Sequence, residues 1–168
     1  MKYRMTPLVI LAAFLVSLTV PVSGGEAVTS EEGKHFDADE NPTYKIEADG
    51  TVDWFTYSGF RRYHSECHVC HGPDGLGSSF APGLVETLKT LSYDDFNDIV
   101  VNGRENVGVS VQNKMPAFGE NLNVMCFLDD IYIYLKARSD ESLGRGRPSK
   151  KTRKTEATRN DELECMEG

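Results

Sequence analysis

The residues most able to do chemistry are Cys67, Cys70 and His71, which form a C-x-x-C-H run. Two thiols at this spacing can each form a thioether to one edge of the same porphyrin, and the histidine that follows then lies beneath the iron. Two other kinds of site use a C-x-x-C pair, a thioredoxin-like redox motif and half of a zinc site. The redox motif needs a βαβ context, and the zinc site needs a second ligand pair, for which His64 and His68 are poor candidates. The motif therefore predicts one covalently attached haem c.

A second candidate ligand is Met115, in the run Lys114-Met115-Pro116-Ala117-Phe118, 44 residues after His71. A thioether sulfur is a soft, neutral ligand that raises the reduction potential of haem iron relative to a second imidazole. The run is predicted to be a loop between two helices, stiffened by its proline. Met125 is the main competitor, but it falls at a helix start, and Met166 lies near the chain end. We therefore predict that His71 and Met115 are the two axial ligands. The remaining histidines, predicted to lie on the surface, are His35, His64 and His68.

A first helix is needed to position Cys67. Asp53 is a good N-cap, and the predicted helix runs from Trp54 to about Cys67. Gly59, Tyr63 and Cys67 are spaced by four residues, so they share one face of this helix. The glycine allows another helix to approach closely, and the tyrosine fills the space beside it. The helix is therefore predicted to pack through this face and to fix the first haem cysteine.

Two further helices are predicted downstream. Ser92 begins a capping-box-like sequence, and the helix that follows ends at Asn102. Asn121 or Asn123 can cap a last helix that runs to about Arg138. The amphipathic stripe of that last helix consists of Val124, Phe127, Leu128, Ile131, Tyr134 and Leu135. These helices would complete a helical domain around the haem.

Two cysteines, Cys126 and Cys165, remain outside the C-x-x-C-H motif. In an oxidising compartment, an even remainder suggests one disulfide. That disulfide would tie the end of the chain to the start of the last predicted helix. The alternative is a buried thiol at Cys126 and a free cysteine at Cys165. We predict the disulfide.

The ends of the chain differ from its middle. Residues 1–24 combine a basic start with an apolar run shorter than the ~20 residues of a spanning helix, so they predict a secretory signal rather than a membrane anchor. Residues 25–52 are predicted to be a loose leader with a short hairpin at Asp49-Gly50. Residues 139–168 are charged and poor in apolar side chains, and are predicted to be a flexible, disordered tail. Residues 53–138 remain as the folded domain.

The chain is acidic, with 18 Lys+Arg and 26 Asp+Glu and a net charge of −8. Without residues 1–24 the net charge is −10, and all of it lies in residues 25–138, because residues 139–168 carry seven charges of each sign. Such a chain is a poor binder of nucleic acid and of anionic membranes. The acidity suits a partner with a basic docking face, or it serves only solubility.

Residues 53–138 resemble a class I cytochrome c. The matching features are Gly59 and Tyr63, the C-x-x-C-H motif, Pro82, the Asn102-Gly103-Arg104 end of the middle helix, Met115, and Ile131 and Tyr134 in the last helix. The resemblance implies an all-α fold, with three to five helices around one covalent haem. It further implies that the backbone C=O of Pro82 accepts from the second ring nitrogen of His71, which sets the tautomer, and that Leu84 packs against the haem.

A narrower resemblance is to the four-cysteine, methanol-metabolism-related cytochromes c. The runs that carry it are Val52-Asp53-Trp54, Arg61-Arg62-Tyr63-His64-Ser65-Glu66, Asn123-Val124-Met125-Cys126 and Leu128-Asp129-Asp130-Ile131-Tyr132. Those cytochromes are associated with dehydrogenases that use pyrroloquinoline quinone (PQQ). The resemblance implies a periplasmic electron carrier between a PQQ-dependent methanol or alcohol dehydrogenase and a downstream cytochrome or oxidase.

Two other functions use a haem in a different way. A haem enzyme and a gas or redox sensor both need an open or labile sixth position, and Met115 argues against that. We therefore expect an electron-transfer protein and not an enzyme. We also expect a monomer in the periplasm that binds neither nucleic acid nor, after signal cleavage, a membrane.

Overall fold

The computed structural model describes residues 27–107 and 112–168. Within these residues the chain forms seven helices and five short strands. The helices are α1 (Trp54–Glu66), α2 (His68–His71), α3 (Leu84–Thr87), α4 (Tyr93–Asn102), α5 (Leu122–Met125), α6 (Leu128–Ser139) and α7 (Glu156–Glu167). The strands are β1 (Thr29–Glu31), β2 (Lys34–Phe36), β3 (Pro42–Thr43), β4 (Arg104–Val107) and β5 (Gln112–Met115). The predicted signal sequence, residues 1–24, lies outside the described residues, among which no helix is long and apolar enough to cross a membrane.

The centre of the fold is the contact between α1 and α6. A Cβ atom at Gly59 would lie 1.8 Å from the backbone oxygen of Asp130 and 2.8 Å from Cβ of Tyr134, so only glycine permits this approach. Asp53 caps α1 as predicted, because its Oδ1 accepts from the backbone N–H of Thr56 at 2.8 Å. The cap and the glycine together fix the position of the last turn of α1.

A single apolar core surrounds this contact. Its buried members are Tyr63, Leu88, Phe96, Val100, Val124, Leu128, Ile131, Tyr132, Tyr134 and Leu135. Full burial of one large aliphatic side chain, such as Leu135, stabilises a fold by roughly 1.5–3 kcal/mol. The predicted helical fold is confirmed. The helices exceed the expected three to five because α2, α3 and α5 are single turns and α7 lies in the segment predicted to be disordered.

The predicted last helix is two helices in the structure. Asn121 caps α5, and the backbone leaves helical geometry at Phe127, with φ −133° and ψ 21°, before α6 begins. Phe127 is buried, and the guanidinium of Arg62 lies 3.4 Å from the centre of its ring. Cys126, in the same break, is bonded to Cys165. The apolar spacing continues across the break, which explains why the sequence predicts one helix.

The prediction of a loose leader is wrong for most of residues 27–52. Strands β1, β2 and β3 form an antiparallel sheet in that order, and Lys34 in β2 reaches Asp129 of α6 in a 2.7 Å salt bridge. The predicted turn at Asp49-Gly50 is present, closed by a bridge between Ile46 and Val52. Strands of two or three residues give too little alternation to be recognised in a sequence.

The prediction of a disordered tail over residues 139–168 is also wrong. The backbone N–H of Val52 donates to Lys150 O at 3.2 Å, and Thr152 N–H donates to Val52 O at 2.9 Å, so the segment pairs with the residue preceding the α1 cap. Further along, Nε1 of Trp54 donates to Glu162 of α7 at 3.2 Å. Polar contacts with distant residues order this segment, and its low apolar content therefore does not indicate disorder.

Candidate haem site

The end of α1 and the short α2 bring Cys67, Cys70 and His71 onto one helical turn. Cys67 N–H donates to Tyr63 O at 2.9 Å, and His71 N–H donates to Cys67 O at 3.0 Å. Residues three and four apart on such a turn face the same side. Both cysteines are free, Cys67 half-buried and Cys70 exposed. The two sulfurs and the imidazole can therefore bind the same planar group.

The other sites that use a C-x-x-C pair find little support in the structure. Burial, with a further contribution from Glu66, raises the pKa of the Cys67 thiol to about 12. A catalytic redox pair instead works through a thiolate whose pKa is lowered. Among residues 27–107 and 112–168, no three His, Cys, Asp or Glu side chains are grouped to hold a metal ion, whereas structural zinc takes four ligands.

His71 is buried and held in one orientation. Its Nδ1 lies 2.9 Å from the backbone oxygen of Pro82, and because a carbonyl can only accept, Nδ1 carries the proton. His71 O in turn accepts from Gly77 N–H at 2.7 Å, and the hydroxyl of Tyr63 donates to Gly72 O at 2.6 Å. These contacts fix the turn after the motif and leave Nε2 of His71 available to a metal.

Met115 ends strand β5 and does not lie in a loop, contrary to the sequence prediction. It pairs with Arg104 across an antiparallel hairpin. Gly103, which has φ +74°, makes the approach of this hairpin to α4 possible, since a Cβ atom there would lie 2.6 Å from Met115 O. Met115 is half-buried and packs against the core. The hairpin, rather than a flexible loop, therefore holds the methionine.

The residues present fit a covalent haem. Two free thiols, an imidazole with one unused nitrogen, and a thioether are the donor set that a c-type haem takes. Several half-buried apolar side chains from residues 84–118 pack against the core. They are Leu84, Leu91, Val101, Met115 and Phe118. The fixed partner of His71 completes the set, because it sets the tautomer and raises ligand basicity.

Asp74 is a part of this region that sequence reasoning missed. Its carboxylate accepts from Gly146 N–H at 3.0 Å and from Arg145 Nε at 3.3 Å, and its backbone oxygen accepts from Arg138 at 3.4 Å. Burial alone would raise the pKa of Asp74, but these donors outweigh it and hold the pKa below its ordinary value. His64, predicted to be a surface histidine, is half-buried beside it, with Nε2 3.7 Å from Asp74 Oδ1. No local pattern signals this cluster, because its partners are distant in the chain.

The remaining two cysteines, Cys126 and Cys165, are joined in a disulfide, with Cα atoms 5.8 Å apart. The bond links the break between α5 and α6 to the last turns of α7. The four cysteines therefore divide into a free pair in the C-x-x-C-H turn and one disulfide-bonded pair.

The chain is similar in sequence to cytochromes of known type. Cytochrome c-555 from Methylococcus capsulatus (strain ATCC 33009 / NCIMB 11132 / Bath) is 42% identical over 96 residues, which cover 56% of this chain and 72% of that protein. The chain belongs to the class I c-type cytochromes. This cytochrome is also 49% identical over 138 residues to cytochrome c-553I from Paracoccus denitrificans, covering 82% of the chain but 61% of the length of that relative.

A solved structure and a family profile agree with the assignment. The crystal structure of the c-type cytochrome XoxG from Methylobacterium extorquens AM1 matches with a TM-score of 0.79 and 51% identity, over 84% of this chain and 87% of that one. Residues 56–135 match the family described as cytochrome C oxidase, cbb3-type, subunit III. C-type cytochromes bind haem c covalently and carry electrons, so the prediction of an electron-transfer protein that is not an enzyme is confirmed.

Proposed function

We propose that this cytochrome is a one-haem periplasmic carrier that accepts electrons from a PQQ-dependent methanol or alcohol dehydrogenase and passes them to a downstream cytochrome or oxidase. The observation that carries the proposal is the pairing of His71 Nδ1 with Pro82 O, immediately after two free cysteines. Because Nδ1 of His71 is paired with Pro82, the other ring nitrogen, Nε2, remains available to bind iron.

Each residue of the site has a separate role in this proposal. Cys67 and Cys70 would hold the haem through thioethers, and His71 would ligate the iron through Nε2. The bound haem supplies reversible one-electron chemistry. Pro82 keeps the imidazole in one tautomer and one orientation, so little rearrangement accompanies a change of charge. Leu84, half-buried against the core, would pack against the haem and exclude water from it.

Met115 is proposed as the sixth ligand. Its half-buried position at the end of β5, with Gly103 packed against its backbone, restricts where the thioether can go. A neutral sulfur favours reduced iron and raises the potential. A methionine held in this way would also ligate the iron and so keep substrates from binding to it. A carrier needs such closure, whereas a haem enzyme or a sensor would need Met115 to dissociate.

The proposed compartment and the proposed partners are supported by different observations. Residues 1–24 have the sequence of a secretory signal, which would deliver the chain to the periplasm. The runs shared with methanol-metabolism-related cytochromes support a PQQ-dependent dehydrogenase as the donor. The net charge of −8 disfavours nucleic acid and anionic membranes as partners. We propose a monomer, since a carrier must present its site to two partners in turn.

Stopped-flow spectroscopy tests this function directly. A purified PQQ-dependent methanol dehydrogenase, supplied with methanol, is mixed with the oxidised cytochrome, and the reduced haem bands are followed. We expect reduction much faster than that of an unrelated cytochrome c of similar potential, with one electron accepted per chain. Equal rates for the two cytochromes would remove the assignment of the donor, while two electrons per chain would remove the single haem.

A further inference from the structure

The segment predicted to be a tail contains a row of six cations that we call the basic strap, residues 145–154. Its charged members are Arg145, Arg147, Lys150, Lys151, Arg153 and Lys154, with no Asp or Glu between them. The rest of the chain has 12 Lys+Arg and 26 Asp+Glu. All six are exposed except Lys154, which is half-buried. The strap is therefore a concentrated positive surface on an acidic protein.

The strap is fixed on the body of the protein. Its start is held by the hydrogen bond from Gly146 N–H to Asp74, and its middle by the backbone bonds of Lys150 and Thr152 with Val52. Lys154, at its end, pairs with Glu162 of α7. Backbone hydrogen bonds at these points keep the cations in a constant arrangement, which a disordered basic tail would not do.

Half of the strap's charges are not neutralised by carboxylates. Arg145 pairs with Asp74, Lys150 with Asp49 and Lys154 with Glu162. The other three are Arg147, Lys151 and Arg153, and none of them forms a salt bridge within the described residues. Lys151 Nζ lies 4.9 Å from the ring centre of Tyr57 and 5.1 Å from that of Trp54, and Arg147 lies 5.4 Å from that of Tyr57. Aromatic faces hold two of these cations in place without cancelling their charge.

One end of the strap reaches the haem-binding turn. Asp74, which Arg145 and Gly146 bind, follows His71 by three residues and precedes Leu76 by two. The same turn exposes large apolar side chains: 49% of Leu76 and 74% of Phe80 are accessible. The hydroxyl of Ser78 donates to Cys70 O and accepts from Phe80 N–H, so Ser78 links the backbone of Phe80 to that of Cys70. Apolar groups at the centre and charges at the rim are the usual anatomy of a transient interface.

We propose that the basic strap and the exposed apolar residues of the haem-binding turn form one docking surface, which receives an acidic face of the electron-donating dehydrogenase. The proposal rests on the proposed function for the identity of the donor. It reverses the simplest expectation from the net charge, which is a basic partner. At ~0.15 M salt the Debye length is about 8 Å, so charges at the contact outweigh the distant carboxylates of the chain.

Charge reversal in the strap tests the proposal. Stopped-flow reduction by a purified PQQ-dependent methanol dehydrogenase is compared for wild type, Arg153→Glu and the double variant Lys151→Glu/Arg153→Glu. Arg159→Glu, an exposed change of the same sign in α7, is the matched control. We expect the association rate to fall about tenfold in the double variant at low salt, and to approach wild type at ~1 M salt as charges are screened. The control should stay within about twofold of wild type.

The outcomes separate this proposal from the proposed function. If the dehydrogenase does not reduce the wild type, it is not the electron donor, and the proposed docking surface for it is wrong as well. Normal reduction of every variant keeps the function and overturns the surface, and faster reduction of the double variant would show that the donor face is basic. Circular dichroism reports whether Lys151→Glu disturbs folding. If it does, the reduction rate of Arg153→Glu alone tests the docking surface. Co-flotation of the wild type, but not the double variant, with phosphatidylglycerol vesicles, at unchanged reduction rates, would assign the strap to a membrane surface instead.

Discussion

The helical body, residues 53–138, and the C-terminal segment, residues 139–168, reach order by different means. The body buries an apolar core, and its central contact depends on the close approach of α1 and α6 at Gly59. The C-terminal segment instead relies on hydrogen bonds to Val52 and Asp74, on charge pairs and on one disulfide. Burial of one helix face produces a periodic apolar pattern in the sequence. Hydrogen bonds, charge pairs and disulfides to distant residues produce no such pattern. Low apolar content and abundant charge therefore do not establish disorder.

The largest expected effect lies in the body. Replacement of both motif cysteines, Cys67→Ala and Cys70→Ala, should abolish covalent haem binding, because no other free cysteine occurs among the described residues. Denaturing gel electrophoresis with a haem-peroxidase stain should show a band for the wild type and none for the double variant. Extraction of the haem from the wild-type protein by acidified organic solvent would contradict covalent attachment.

The second prediction concerns the C-terminal segment. The double variant Cys126→Ala/Cys165→Ala should lose about 3–4 kcal/mol of unfolding free energy, by the loop-entropy estimate for a sequence separation of 39. Hydrogen exchange should show that α7 loses protection first, while the haem spectrum stays unchanged. Leu163→Ala, in an exposed part of the same helix, serves as a control. Loss of the haem spectrum together with α7 would mean that body and segment form one cooperative unit.

A third prediction compares two glycines, one in each region. Gly59→Ala should destabilise the protein by about 1–3 kcal/mol or more, because the added Cβ meets backbone atoms of α6. Gly144→Ala should have little effect, since no heavy atom lies within 4 Å of the place that its added methyl group would occupy. Chemical denaturation of both variants gives the two free energies of unfolding. Equal effects would show that the α1–α6 contact is looser than these distances indicate.

A fourth prediction is a pH dependence of stability that arises from Asp130, which lies in α6. Burial raises the pKa of this carboxyl to about 7, although a hydrogen bond from Ser58 opposes the shift. The unfolded chain ionises near the ordinary pKa of ~4, so it releases the proton first as pH rises. Stability should therefore fall between about pH 4 and pH 7, by at most about 1.4 kcal/mol per pH unit.

The isosteric variant Asp130→Asn provides the control for this effect. It cannot ionise, so its free energy of unfolding should lack the decline between about pH 4 and pH 7. Denaturation curves of wild type and variant across that range measure the difference. Parallel pH profiles for the two proteins would show that folding does not raise the pKa of Asp130, against the burial argument.

Much of the body could be predicted from local signals. Asp53 and Ser92 cap α1 and α4 as their types suggest, and the four-residue spacing of Gly59 and Tyr63 identified the face that meets α6. The break at Phe127 could not be predicted, because apolar spacing continues through it. The hairpin that carries Met115 was missed as well, since its strands are short.

The ends of the chain could not be predicted by the same signals. The sheet formed by β1, β2 and β3 depends on pairing between short segments and on one salt bridge, from Lys34 to Asp129. The cluster around Asp74 joins side chains that are far apart in sequence, such as Arg145, so nothing relates its members until the chain is folded. Long-range polar contacts of this kind need a three-dimensional structure to be recognised.

We propose that His71 and Met115 would both ligate the iron, because two protein ligands distinguish a carrier from a haem enzyme or a sensor. Near-infrared absorption of the oxidised protein tests it, since methionine ligation to ferric haem gives a weak charge-transfer band. We predict that the wild type shows the band, that Met115→Ala loses it and has a lower reduction potential, and that the control Met125→Ala keeps both. Absence of the band in the wild type, or its loss in Met125→Ala alone, would contradict the account.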